Sequence, residues 1–195
     1  GSSLVYMAND FIKRSKYKES GFYLNNLNEL AHTLQDLEER GIKTLLIGVS
    51  FALLDLAEKF PLQLKNTIVM ETGGMKGRRK EMIRTELHEI LAQAFQVDKI
   101  HSEYGMTELL SQAYSKGDGI FSCPNHMDIL IRDSEDPLSL LSKQKTGGLN
   151  IIDLANVDSC SFIATQDLGK KIDDNQFEIL GRFDASDVRG CNLMV

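Results

Sequence analysis

From Lys43 to Val49 the chain is almost continuously apolar, the pattern of a β-strand covered on both faces. Upstream, Leu27, Leu30, Ala31, Leu34 and Leu37 recur at helical spacing. Asn25 or Asn26 can cap the start of that helix, and Gly41 ends it as a left-handed C-terminal cap. Downstream, Ser50 caps a second helix that runs through Phe60 and is stopped by Pro61. Another apolar strand reads at Thr67 to Met70. A longer helix then runs from about Arg78 to Phe95, with Met82, Ile83, Leu87, Ile90, Leu91 and Ala94 on one stripe. Val97 to Ile100 reads as a third strand, and Leu109 to Ala113 as the start of one more helix. Strands and helices in this alternation predict an open parallel α/β sheet. The opening Leu4-Val5-Tyr6-Met7 reads as a short buried strand, followed by a mixed segment to Gly21.

Beyond roughly Lys116 the character changes. Gly117-Asp118-Gly119 marks a turn, and Met127 to Arg132 alternates like a half-buried strand. Further short strands read at 148–154, 161–164 and 176–180, with no long helix between them. These predict a small antiparallel sheet or barrel appended to the α/β layer. The expected division is residues 1–115 for the α/β layer and 116–195 for the β-rich subdomain. The chain is 42% hydrophobic and 26% charged, enough to bury a core and too apolar for disorder. Its net charge of −6 argues against a general nucleic-acid binder, which needs a basic face. No apolar run is long enough to span a membrane, and no secretory leader is read at the N-terminus. Gly1-Ser2-Ser3 reads as a tag remnant or as native chain cut from a longer protein. Three scattered cysteines suit a reducing compartment, with the cytoplasm as the default expectation.

Ligands in open α/β sheets sit at the carboxyl ends of strands. Two glycine turns fall there, Gly73-Gly74 and Tyr104-Gly105. Gly73, Gly74 and Gly77 let the backbone approach a flat or anionic ligand, and a plain tight turn reads equally well. Their spacing matches neither a Rossmann fingerprint nor a Walker loop. Lys76, Arg78, Arg79 and Lys80 put cations at a helix start, where the dipole disfavours them unless an anion lies nearby; a solvated turn is the plainer reading. His101 to Glu108 then places a hydroxyl and a carboxylate, Thr107 and Glu108, at an expected strand-to-helix corner. Cys123 and His126 are two metal-ligand types at close spacing, without a partner pair. His32 and His88 read as ordinary helix residues. Asp167, in a turn between strands, and Arg182, near a Gly-Arg turn, are residue types suited to ribose hydroxyls and phosphate.

Taken in order, these pieces resemble the adenylate-forming superfamily of acyl-CoA synthetases and adenylation domains. Tyr104-Gly105-Met106-Thr107-Glu108 resembles the Tyr-Gly-x-Thr-Glu motif of that superfamily. Thr165-Gln166-Asp167 resembles its Thr-Gly-Asp motif with the glycine replaced, and Gly181-Arg182-Phe183-Asp184 with Arg189-Gly190 resembles its hinge motif. Within the superfamily, the stretch 71–78 and the tail 188–193 are most similar to LuxE-type acyl-protein synthetases, with phenylacetate-CoA ligases next.

The resemblance implies ATP and Mg²⁺ as cofactors and a fatty or aryl carboxylate as substrate. It places Gly73, Gly74, Tyr104, Gly105, Asp167 and Arg182 around the nucleotide. Tyr104 would pack against the adenine or acyl group, Thr107 would touch the α-phosphate, and Glu108 would hold Mg²⁺. Cys191 matches by position the cysteine that accepts the acyl group in LuxE-type proteins; its plain alternative is a buried structural thiol. The partner such proteins feed is an acyl-group reductase. The family's Ser/Thr/Gly-rich phosphate loop and its C-terminal lid have no counterpart here, so the likeness is to the rear part of a longer enzyme. A phenylacetate-type ligase and a non-catalytic nucleotide-binding remnant stand as the alternatives.

Overall fold

The computed structural model describes residues 3–73 and 82–183. One nine-stranded sheet runs through them in the order β1-β2-β3-β4-β5-β9-β8-β7-β6. The strands are β1 Thr44–Val49, β2 Thr67–Thr72, β3 His101–Tyr104, β4 Ala113–Ser115, β5 Ile120–Ser122, β6 Met127–Arg132, β7 Thr146–Asp153, β8 Phe162–Lys171 and β9 Gln176–Arg182. The helices are α1 Ser3–Arg14, α2 Leu27–Glu39, α3 Ser50–Lys59 and α4 Arg84–Phe95. β1, β2 and β3 pair in parallel, and every later pairing is antiparallel. The fold class is thus the expected one, a parallel α/β layer continued by an antiparallel β region.

Helix ends follow local chemistry. Asn26 caps α2 by accepting from the Glu29 amide at 3.1 Å, and its own amide reaches back to the Glu29 carboxylate at 2.7 Å. At the other end Gly41 adopts φ +67°, and the Gly41 and Ile42 amides close onto the Glu38 and Leu37 carbonyls. Ser50 departs from its expected role: it is the first helical residue of α3, and its hydroxyl makes no cap. It donates instead to the Gly73 carbonyl at 3.1 Å and toward Glu71 at 3.4 Å.

Two cores share the sheet. Leu34 of α2, Leu53 and Leu56 of α3, and Leu91 and Phe95 of α4 pack on Leu46 and Val69 of the parallel strands. On the antiparallel side Tyr104, Phe121 and Phe177 meet edge-on or stacked at centroid distances of 5.6–5.9 Å, over Ile129, Leu149 and Ile151.

Several expectations are corrected. β1 is not fully covered on both faces: Leu46 is buried, whereas Leu45 and its register partner Ile68 are each 47% exposed and Ile47 and Val49 are half-buried. The opening residues form α1, because Leu4, Met7, Ala8, Phe11 and Ile12 recur at helical spacing across a longer window. α4 starts at Arg84, leaving Met82 and Ile83 before it in non-helical backbone. The third parallel strand is His101–Tyr104, not 97–100. No helix forms over 109–113, where the chain turns into antiparallel β4. Finally, Thr165 to Gly169 lies inside β8 at a bulge rather than in a turn.

Candidate functional site

The site assembles where β1, β2 and β3 end. Thr72 is paired with Glu103, so Gly73 and Tyr104 are the next residues along neighbouring parallel strands. Gly73 takes φ +59°, a left-handed turn that favours glycine, and the Ser50 hydroxyl holds its carbonyl. Gly105 is set by close approach instead: a Cβ there would lie 2.6 Å from Glu103 Oε1 and 3.2 Å from Gln112 Cγ. The Glu103 carboxylate is held by the Thr72 hydroxyl. Burial pushes its pKa up, and the nearby Glu71 charge adds to that rise, against the hydrogen bonds from Thr72 and Gln112.

Across the sheet, β8 and β9 bring a second set of groups to the same place. The Tyr104 hydroxyl donates to the Asp167 carboxylate at 2.7 Å. Arg182, the register partner of Asp167, sets its Nε 3.7 Å from Asp167 and donates to the Gln166 side chain at 2.9 Å. Asp167 is only 5% exposed. Its burial pushes the carboxyl above the usual aspartate range, against the pull of Tyr104 and Arg182, and the Glu108 charge adds to the rise. Glu108 follows Tyr104 on the turn after β3, with its carbonyl held by the Asn156 side chain. The structure thus draws Tyr104, Glu108, Asp167 and Arg182 into one locality from separate parts of the chain.

Thr107 and Glu108 are exposed on a short turn after β3, not at a helix N-terminus. Among the described residues this turn opens no helix of its own, so it brings no helix dipole with it. The ring of Tyr104 is 3% exposed and packed edge-on against Phe121 and Phe177. The hydroxyl leaves this aromatic packing to meet Asp167. Gly74 and Cys191, with the basic cluster at Lys76 to Lys80 and the Arg189-Gly190 pair, lie outside the described residues.

Sequence reasoning passed over a buried polar cluster behind the Gly73 turn. Glu71, 7% exposed, has Arg84 Nε at 3.8 Å and His88 Nε2 at 3.6 Å, and His88 is 3.4 Å from Ser102 Oγ. Burial opposes the Glu71 charge, but the contacts with His88, Arg84 and Ser102 win and hold its pKa below the usual range. The signal was a glutamate at the end of an apolar strand, a position where an unpartnered charge is not tolerated. A cleft of about 440 Å³ opens beside this cluster, lined by Arg84, His88, Lys99, Asp118 and Glu178 over an apolar floor that includes Ile100.

The donor set limits what this corner can hold. Among the described residues no three His, Cys, Asp or Glu side chains gather as a metal cage. Glu108 is a single exposed carboxylate, which suits Mg²⁺ shared with phosphates and water and not a closed protein site. Cys123 is buried, and burial with the Asp128 charge pushes its thiol up to about 12, which keeps it from acting as a thiolate ligand. Among the described residues no helix is long and apolar enough to cross a membrane.

No family model matches the sequence, and no curated protein matches it. Solved structures do. The ATP-bound RpMatB-BxBclM chimera B3 aligns with a TM-score of 0.58 at 18% identity, over 84% of this chain and 34% of that one. ATP-bound MatB from Rhodopseudomonas palustris gives 0.58 at 18%, over 80% and 33%. The O-succinylbenzoate coenzyme A synthetase MenE from Bacillus subtilis, in complex with ATP and magnesium ion, gives 0.55 at 18%, over 80% and 34%. At such identities the likeness is one of fold alone, and the fold is that of part of each of these structures. The chain spans about a third of the length of these structures.

Proposed function

We propose that this corner is part of an ATP site, and that the chain belongs to an enzyme that activates a carboxylic acid as its adenylate. The observation that carries the reading is the convergence of Tyr104, Glu108, Asp167 and Arg182 at the carboxyl ends of the parallel strands. The fold adds to it, since structures sharing it were solved with ATP, and in one case magnesium, bound.

On this reading the Asp167 carboxylate and the Arg182 guanidinium hold the ribose hydroxyls and phosphate, with Tyr104 fixing Asp167 through its hydroxyl. Gly73, Gly74 and Gly105 let the backbone come close to the adenine. Thr107 hydrogen-bonds an α-phosphate oxygen, and Glu108 supplies the carboxylate for Mg²⁺, whose charge offsets that of the phosphates. The substrate carboxylate oxygen attacks the α-phosphorus, the bond to the bridging oxygen breaks, and pyrophosphate leaves. Positioning and charge neutralisation carry most of such a step.

For the second half we propose acyl-protein transfer. The Cys191 thiol, as thiolate, attacks the acyl carbonyl, AMP departs, and a thioester results for a reductase partner to consume. The acid is fatty or aryl, and the sequence similarity of 71–78 and 188–193 to LuxE-type proteins favours the fatty one. Transfer to coenzyme A, as in phenylacetate-type ligases, is the second reading.

The test is carboxylate-dependent ATP–pyrophosphate exchange by the full-length protein across fatty and aryl acids. Exchange with one class supports adenylation and names the substrate; none with any acid contradicts it. Labelled acid retained on the protein and lost in Cys191→Ser supports the protein acceptor. Retention in that variant removes Cys191 from the mechanism.

A further inference from the structure

We infer that Asp153 and Asn156 are positioning residues for the turn that carries Thr107 and Glu108; the inference rests on the ATP-site reading above. Residues 105–112 have no helix or strand of their own. Their main chain is gripped instead from the far end of β7. Asp153 Oδ2 accepts the Ser111 amide at 2.9 Å and the Leu110 amide at 3.1 Å, while its Oδ1 accepts the Ser111 hydroxyl at 2.5 Å. Asn156 works from both ends of its amide. Its Oδ1 accepts the Leu110 amide at 2.8 Å, and its Nδ2 donates to the Glu108 carbonyl at 2.6 Å.

The two residues form one device. Asp153 caps the 3-10 turn Leu154–Asn156 by accepting from the Ala155 amide at 3.0 Å, and that turn swings Asn156 alongside. Asp153 is 0% exposed and Asn156 is 3% exposed, and both direct side-chain hydrogen bonds to this turn. Buried polar atoms are costly unless partnered, so a turn needing only exposed, solvated backbone would not recruit them. The Thr107 and Glu108 side chains, by contrast, are exposed. Main chain held from inside and ligand-type side chains presented outside is the arrangement that preorganised phosphate and metal contacts require. The hydrogen bonds from Ser111, Ala155 and Leu110 also outweigh burial and keep Asp153 ionised below the usual aspartate range.

Each group is chemically specific. At 156 an amide is required, because a carboxylate would set an acceptor against the Glu108 carbonyl. At 153 a carboxylate is required, because its bonds there all come from donors.

The test uses the full-length protein with Asn156→Asp, and with the milder Ser111→Ala in case the first folds poorly. Hydrogen exchange reads the Leu110 and Ser111 amides, and ATP–pyrophosphate exchange is followed against Mg²⁺ and ATP. Asn156→Asp sets an acceptor against the Glu108 carbonyl and so pushes the turn away from the clamp; expected are reduced protection at both Leu110 and Ser111 and a rate at saturating ATP down roughly 10–100-fold per folded molecule. The Mg²⁺ needed for half-maximal rate should rise while the KM for ATP changes little. Ser111→Ala should do the same in milder degree. Wild-type rates per folded molecule in either variant, or unchanged Mg²⁺ dependence, would overturn the positioning role, since a merely structural loss scales with folded fraction alone. A wild type without exchange overturns the ATP-site reading and the role with it. Amide protection, which needs no activity, tells that failure apart from failure of the clamp.

Discussion

Tyr104 and Asp167, 63 residues apart in sequence, are joined by a 2.7 Å hydrogen bond that ties the last parallel strand to the antiparallel strand β8. The two residues do not contribute alike. Tyr104→Phe leaves a buried carboxylate short of a donor and should cost about 1–3 kcal/mol of stability. Asp167→Asn removes a desolvated charge while keeping an acceptor for Tyr104, and should stay within about 1 kcal/mol of wild type at neutral pH. Urea unfolding of both variants checks the contrast. A large loss in Asp167→Asn would mean that the Arg182 ion pair outweighs desolvation.

Glu103 should leave a signature in the pH dependence of stability. Burial raises its folded pKa, so the native state keeps a proton over a range where the unfolded state has lost it. Its contribution is fully present below the ordinary glutamate range and is lost as pH rises through the folded value. Asp167 acts in the same direction. Glu103→Gln should therefore flatten the fall in stability from mildly acidic to neutral pH, and Glu103→Gln with Asp167→Asn should flatten it further. An unchanged slope in the double variant would contradict this account.

Glu38 should behave as a structural hub distant from the site. Its carboxylate accepts from the Lys65 and Asn66 amides, the Asn66 side chain and the Thr67 hydroxyl at 2.7–3.1 Å, pinning α2 to the start of β2. Glu38→Ala should cost about 1–3 kcal/mol, with Glu38→Gln intermediate. Ligand affinity per folded molecule should not change. Thermal unfolding combined with binding at low temperature separates the two effects.

How much of this was legible in the sequence depended on how local the cause was. Asn26, Gly41 and the alternation of Met127 to Arg132 act within a few residues, and each was read correctly. Leu4 to Met7 misled because four apolar residues suit a strand, while the helical spacing shows only once Phe11 and Ile12 are counted. β3 was hidden because one of its inward residues is Ser102, fully buried yet polar. The absent helix at 109–113 is a tertiary effect: Asp153 and Asn156, more than 40 residues downstream, take the Leu110 and Ser111 amides. Gly169 did carry a signal for continuing β8, since a Cβ there would lie 2.2 Å from the Glu178 carbonyl oxygen of the neighbouring strand. The motif order brought Tyr104, Glu108, Asp167 and Arg182 forward as candidates, but only the fold shows that the Tyr104 ring is core and that its hydroxyl donates to Asp167.

The central claim is that this corner binds ATP with Mg²⁺. The direct measurement is calorimetric titration of ATP into the full-length protein with and without Mg²⁺, for wild type, Glu108→Gln and Asp167→Asn. Saturable Mg²⁺-dependent binding is expected in wild type, weakened at least roughly 10-fold in each variant while folding is retained. In Glu108→Gln the advantage conferred by Mg²⁺ should shrink. A wild type that does not bind, or variants that bind as tightly as wild type, would contradict the account.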